Sequence, residues 1–251
     1  MLTYLLFIFI ILSVLVSFSF LKKKERTKST LVLKTNSDLY DADYVNIYDS
    51  VTYDVRRVNF DVTHIMKTVT NSSSILDIGS GTGHHVHEFN EKGVQAIGID
   101  KSSAMINYAK RYPHRYLQGN ALHMTLFHED TFSHILCLYY TFYYIKNKDQ
   151  FLQNVYKWLM PGGFFFVHLS DKCKYGTSTL VAKEFTYKTI IKNNQVYETI
   201  KRDNVIRRNE HTFYMENIPF IRQLFDQAGF NYVATYNYDF QNFLYVFQKP
   251  E

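Results

Sequence analysis

Two carboxylates and three glycines stand at a spacing that can build a ligand site: Asp77, then Gly79, Gly81 and Gly83, then Asp100, 23 residues after Asp77. Glycines alternating over five residues let a backbone turn sharply and lie against a ligand, because side chains at those points would occupy the ligand's volume. A carboxylate two residues ahead of them is ill suited to a pyrophosphate and suits a ligand with a cationic amino-acid end. The dinucleotide fingerprint GxGxxG needs its third glycine at position 84, which is His84, so the spacing argues against a nicotinamide cofactor.

Such groups work only if a strand delivers each acid to the same edge of a sheet. Ile75, Leu76 and Ile78 read as a short buried strand that ends at the glycines, with a helix after them. Gln95 to Ile99 reads as a second strand ending in Asp100, and Ser102 or Ser103 starts the helix that follows. An acid at that strand end accepts hydrogen bonds from ribose hydroxyls. Further strands are expected around RYLQGNALHMTLF and along FSHILCLYYTFYYI. A helix bearing Phe151, Leu152, Val155 and Leu159 comes next, then a Pro161-Gly162-Gly163 turn and a fifth strand. Alternating residues around Asn193-Asn194 predict antiparallel strands inserted after strand five, over about residues 171–215. A helix from Pro219 to Ala228, stopped by Gly229, and two closing strands near Tyr232–Tyr236 and Phe243–Phe247 end the chain.

ILDIGSGTG followed by GIDKSSAMI resembles the class I S-adenosylmethionine-dependent methyltransferase family, from about Asp41 to the C-terminus. The resemblance implies an α/β fold: a Rossmann-like, seven-stranded, mostly parallel sheet with helices on both faces. It implies S-adenosylmethionine as cofactor, with Gly79, Ser80, Gly81 and Gly83 around its methionine part, Asp77 near its amino group and Asp100 on the ribose. Lys101, Met105, Ala121, Leu122 and Tyr139 would complete the cofactor pocket, and Asn120 replaces the acid that the family usually offers the adenine amino group. An Asn side-chain oxygen still accepts that bond. Tyr139 to Tyr144 would line the substrate side, with Tyr140 and Tyr143 as acceptor contacts. Tyr44 and Tyr48 belong to a segment that folds over the cofactor as a lid in related enzymes. The same tyrosines also suit a strand or an ordinary amphipathic helix. Arg56 or Arg57 is a candidate partner for the cofactor carboxylate.

Composition sets the limits. With 46% hydrophobic and 20% charged residues the chain is neither disordered nor fibrous. Five cations and one anion between Lys22 and Lys28 carry most of the formal charge of +5, so the folded domain is near neutral and no nucleic-acid partner is expected. Cys137 and Cys173 form no CxxC, and His84, His85 and His87 do not converge on a helix, so no metal site is expected. His64, His168 and His211 are available as bases, but none is assigned. Residues 2–21 carry no charge and are long enough for a transmembrane helix; the basic cluster behind them places the rest of the chain on the cytoplasmic side. A cleaved signal peptide with Ser17 and Ser19 at its end is the competing reading. The division expected is an anchor at 1–21, a basic linker at 22–40 and a catalytic domain at 41–251. The acceptor would be a small molecule or a lipid. A cofactor-binding module without catalysis and an aminopropyl transferase are the rival functions.

Overall fold

Five apolar runs become parallel strands: β2 (Ser74–Ile78), β3 (Gln95–Asp100), β4 (Arg115–Gln118), β5 (Phe132–Cys137) and β6 (Leu159–Ser170). The computed structural model describes residues 29–170 and 175–251. Across the sheet the order is β4, β3, β2, β5, β6, and antiparallel β12 (Asn242–Gln248) and β11 (Asn231–Asn237) complete the expected seven strands. Strand order reverses at β2, whose carboxyl end opens a crevice between β3 and β5, the place where such sheets bind ligands.

Alternation along β2 sends Ile75 to one face of the sheet and Leu76 and Ile78 to the other. On the first face, α2 (Val55–Ile65), α3 (His84–Glu91) and α4 (Ser103–Ala109) bury Val58, Val62, Val86, Phe89 and Ile106. On the second, α6 (Lys148–Trp158) and α7 (Ile218–Gln227) bury Phe151, Val155, Trp158 and Phe225 against Phe165 and Phe247. Side-chain caps fix where these helices start: Ser102 accepts from the Met105 N–H at 3.1 Å, and Asn217, followed by Pro219, accepts from Phe220 at 2.8 Å. Gly229, with φ +90°, turns the chain out of α7.

A second sheet has five strands, β1 (Thr30–Thr35), β10 (Val205–Thr212), β9 (Gln195–Arg202), β8 (Thr186–Lys192) and β7 (Tyr175–Val181), in that order. Asn193 and Asn194, at φ +51° and +65°, form the expected hairpin turn between β8 and β9. The reading of residues 22–40 as linker is corrected at Thr30, because Thr30–Thr35 pairs in parallel with β10 and satisfies its backbone there. A third apolar cluster, Leu39, Tyr44, Phe185, Tyr187 and Ile200, seals α1 (Ala42–Thr52) to this sheet. The expected strand through Tyr144 stops at Cys137. Tyr139 adopts φ +53° and gives its N–H to His168 instead of a neighbouring strand, and Thr141–Tyr144 is a helical turn, α5. The anchor expected at residues 2–21 lies outside the described residues; among those described, no helix is long and apolar enough to cross a membrane.

Candidate active site

The glycine loop is held by its own backbone. The N–H groups of Gly79 and Ser80 both donate to the Ile99 carbonyl, at 2.8 and 3.0 Å, which ties the end of β2 to β3. A Cβ on Gly79 would stand 2.4 Å from the Thr141 methyl, so only glycine fits where the loop passes α5. At Gly81, φ is +52° and a Cβ would meet nothing nearer than the Tyr48 ring at 3.9 Å, so this point faces open space under α1. Gly83 serves a different end: a Cβ there would lie 2.8 Å from the Tyr116 hydroxyl, and its role is close packing of α3 on the sheet rather than contact with a ligand.

The two acids flank the loop. Asp100 accepts from the Ser102 N–H at 2.8 Å on one oxygen and from the Gly81 N–H at 3.1 Å on the other, with the Lys101 N–H a further backbone donor to the carboxylate. Burial pushes its carboxyl up, against those backbone donors. Asp77 is buried, and among the described residues its carboxylate accepts no hydrogen bond. Burial pushes it up to about 7; His85 opposes this, and Asp100 and Asp61 add to it. A carboxyl raised in a cleft and lacking a partner is a site waiting for a cation.

Helix α1 lies across this crevice. Its Asp49 accepts from the Thr82 hydroxyl at 2.6 Å, from Arg111 at 3.0 Å, and pairs with His84 Nε2 at 3.0 Å. Burial opposes ionisation of Asp49, yet the bonds from His84 and Thr82 hold it below the usual carboxylate range. Tyr48, Thr52, Tyr53 and Tyr139, with the loop and Asp77, line a cleft that is partly open to solvent.

Behind the cleft, α2 supplies a fully buried Asp61. Its Oδ1 meets His168 Nε2 at 2.8 Å and its Oδ2 meets His85 Nε2 at 3.0 Å. The Tyr139 N–H and the Arg57 guanidinium both point at His168 Nδ1, at 2.6 and 3.1 Å. Two donors require Nδ1 to accept, so His168 is neutral, carries its proton on Nε2 and donates it to Asp61. Burial lowers the His168 pKa, in agreement. Asp61 stays ionised despite burial because His168 and His85 hold its carboxyl far below the usual range. His85 donates from Nε2; burial disfavours its charge, but Asp61 and Asp77 prevail and raise it. It lines the cleft beside Asp77, and its Nδ1 has no partner among the described residues.

Residues 75–163 match the family described as methyltransferase domain. Over that stretch the chain carries a methyltransferase domain of the S-adenosylmethionine-dependent kind. It is similar to a dTDP-4-amino-2,3,4,6-tetradeoxy-D-glucose N,N-dimethyltransferase of Saccharopolyspora spinosa, 28% identical over 138 residues, which are 51% of this chain and 54% of that one. It thus spans about half the length of that curated relative. Its fold is shared with the CcbJ methyltransferase of Streptomyces caelestis, with TM-score 0.72, 14% identity, and 84% of this chain and 98% of that one covered. An amino pentose methyltransferase of Micromonospora echinaspora, solved with S-adenosylmethionine bound, matches with TM-score 0.61 and 17% identity over 85% of this chain and 99% of that one.

The residues present in this methyltransferase domain fit the cofactor. Asp77 offers an unpaired carboxylate to an ammonium, Gly81 leaves open volume beside it, the Ser80 hydroxyl is buried without a partner, and Arg57 keeps a buried Nε unpaired. The cleft therefore brings together Asp77, Gly79, Ser80, Gly81, Tyr48 and Tyr139, with Asp100 bonded to its loop. The other expected contacts stand away from that wall. Lys101 is exposed and borders a separate groove. Met105 is buried in α4. Asn120 spends Oδ1 on the Leu122 N–H at 3.1 Å, while the Ala121 and Leu122 carbonyls accept from Asn154 and Gln150 of α6.

On the acceptor side two expectations are corrected. Tyr143 is fully buried, and its hydroxyl accepts from the Ser170 N–H at 2.9 Å; Tyr44 is buried and donates to Glu198 at 2.7 Å. Both positions hold secondary structure together and leave no face for a substrate. Tyr140 is half-buried and stacks on Phe213. Asp49, Thr52, Tyr53, Thr82, Thr141 and the Asp61 pair of histidines were not assigned from sequence. Of these, Thr82 lies inside the glycine motif and His85 two residues past it, and His168 stood only among the available bases.

Proposed function

We propose that this methyltransferase domain transfers the methyl group of S-adenosylmethionine to the amino group of a small, sugar-like acceptor. The observation that carries the reading is the buried, unpartnered Asp77 carboxylate between the glycine loop and α1. The amine acceptor is supported by the relatives, which are named for an N,N-dimethylation of an amino sugar nucleotide and for an amino pentose. Tyr48, Tyr53 and Tyr139 add aromatic faces and hydroxyls to the cleft, a lining that suits a sugar ring.

When bound, the cofactor supplies an electrophilic methyl group on a sulfonium. The chain's own task is placement. Asp77 holds the ammonium of the methionine part, Asp100 takes ribose hydroxyls, and Arg57 stands ready for the carboxylate. Helix α1, latched through Asp49, keeps water from the transfer, and Tyr139 marks the acceptor side. An amine attacks only as the neutral base, so the rate should fall below the acceptor's own pKa. Residues 2–21 are retained in this proposal as a membrane anchor with the domain on the cytoplasmic side, to be tested by fractionation.

Labelled methyl transfer decides the matter. Full-length protein, labelled S-adenosylmethionine and a panel of amino-sugar nucleotides, unsubstituted sugar nucleotides and lipid extract should give label in the amino sugars alone. Label only in lipid would move the acceptor to the membrane. Tight binding with no transfer to any of them would leave a binding module.

A further inference from the structure

We propose that His87, Glu91 and His114 form a site for one divalent transition-metal ion of the zinc type, on the outer face of α3, apart from the methyl-transfer cleft. The three side chains come from two elements: His87 and Glu91 lie four residues apart on α3, and His114 lies in the turn before β4. One ligand atom from each falls within 4.8 Å of the other two. His87 Nδ1 stands 3.0 Å from His114 Nε2, and Glu91 Oε1 stands 3.8 Å from each of them.

Those distances are close to what a cation requires. With metal–nitrogen and metal–oxygen bonds of about 2.0–2.2 Å in tetrahedral geometry, neighbouring ligand atoms lie about 3.3 Å apart. The nitrogen pair is already slightly inside that figure, and the exposed Glu91 side chain needs to move only about 0.5 Å inward. Without an ion, the two ring nitrogens face each other across a single proton, with one acting as donor and the other as acceptor. A cation in the proton's place takes both lone pairs, and the carboxylate supplies a negative charge. Two imidazoles and one carboxylate select zinc, nickel or copper over magnesium, which prefers an all-oxygen octahedron. The fourth position opens to solvent.

The ligands are also oriented. The His87 ring stacks on Tyr112 at 4.1 Å with 10° between planes, which fixes its rotation. His114 follows Pro113 and its N–H donates to the Tyr112 carbonyl at 2.8 Å. Arg111, in the same turn, is engaged by Asp49 at 3.0 Å. Tyr112 further links the site to α1, since its hydroxyl is 3.2 Å from His84 Nδ1 and His84 Nε2 is 3.0 Å from Asp49. A bound ion would thus stiffen the turn against which α1 is latched.

The test is calorimetry on the full chain, first stripped with chelator and then titrated with zinc chloride or magnesium chloride. Expected is saturable binding of one zinc per chain and none of magnesium. His87→Ala and His114→Ala should each weaken zinc binding at least about tenfold, since even the loss of an outer partner costs that much. His64→Ala, whose ring Nδ1 pairs with the Phe60 carbonyl far along another helix, should change nothing. Should a variant fail to fold, ethoxyformylation of the wild type gives a second readout: zinc should protect His87 and His114 from modification. Absence of saturable zinc binding, equal affinity in His114→Ala, or no protection would each overturn the site.

Discussion

The Asp77 carboxyl illustrates how one residue serves binding at the expense of stability. Its folded-state value of about 7 lies above the ordinary carboxylate range, so folding takes up a proton there. Its contribution to stability is full below about pH 4 and is lost as pH rises through about 7. Holding the ligand's ammonium needs the ionised form, so affinity should rise with pH toward 7 and level off above it. Asp77→Asn should therefore melt higher than wild type at pH 8 in the absence of ligand, yet bind S-adenosylhomocysteine more weakly and with a flat pH profile between 5.5 and 7.5. Equal melting and equal binding would remove Asp77 from the site. Asp100→Ala should weaken S-adenosylhomocysteine binding by about 1.5 kcal/mol or more, about tenfold, read by calorimetry. Both acids were legible in the sequence because they sit at fixed offsets from glycines and strand ends. Asp61 was not, since nothing local marks a residue whose partners are 24 and 107 positions away.

Elements were read well where their pattern is local. The caps at Ser102 and Gly229, the turn at Asn193-Asn194 and the apolar face of Phe151, Leu152 and Val155 on α6 appear as expected, whereas Leu159 and the expected Pro161-Gly162-Gly163 turn fall within β6. Where long-range bonds decide, sequence reading failed: β5 stops early because His168 claims the Tyr139 N–H, and Thr30–Thr35 is a strand because β10 offers it an edge. Two helices carry testable loads. Removing Asp61 from α2 leaves His168 and His85 buried without their acceptor, and Asp61→Ala should cost about 3–5 kcal/mol in urea unfolding. Asp49 of α1 is partly exposed, and its partners His84 and Arg111 can reach water though Thr82 is buried, so Asp49→Ala should change stability little. It should raise KM for S-adenosylmethionine by loosening α1, while kcat falls less. A large loss of stability with unchanged KM would show that Asp49 only holds the fold.

For the whole molecule, a ligand bound across β2 and β3 and covered by α1 ties both layers of the domain together. Saturation with S-adenosylhomocysteine at about a hundredfold its Kd should add about 2.7 kcal/mol. For a chain of this size that is a rise of about 5–10 °C in melting temperature. A scan showing no shift would mean that the ligand does not select the folded state described here.

The pairing of Thr30–Thr35 with Val205–Thr212 sets an order on biogenesis. During synthesis the early segment that precedes α1 has no edge to join until the ribosome has passed Thr212, many seconds later at about 5–20 residues per second. The parallel core around β2 can assemble in the meantime. Capacity to hold the donor molecule is thus acquired last, and a nascent protein halted before β10 would be compact and inert.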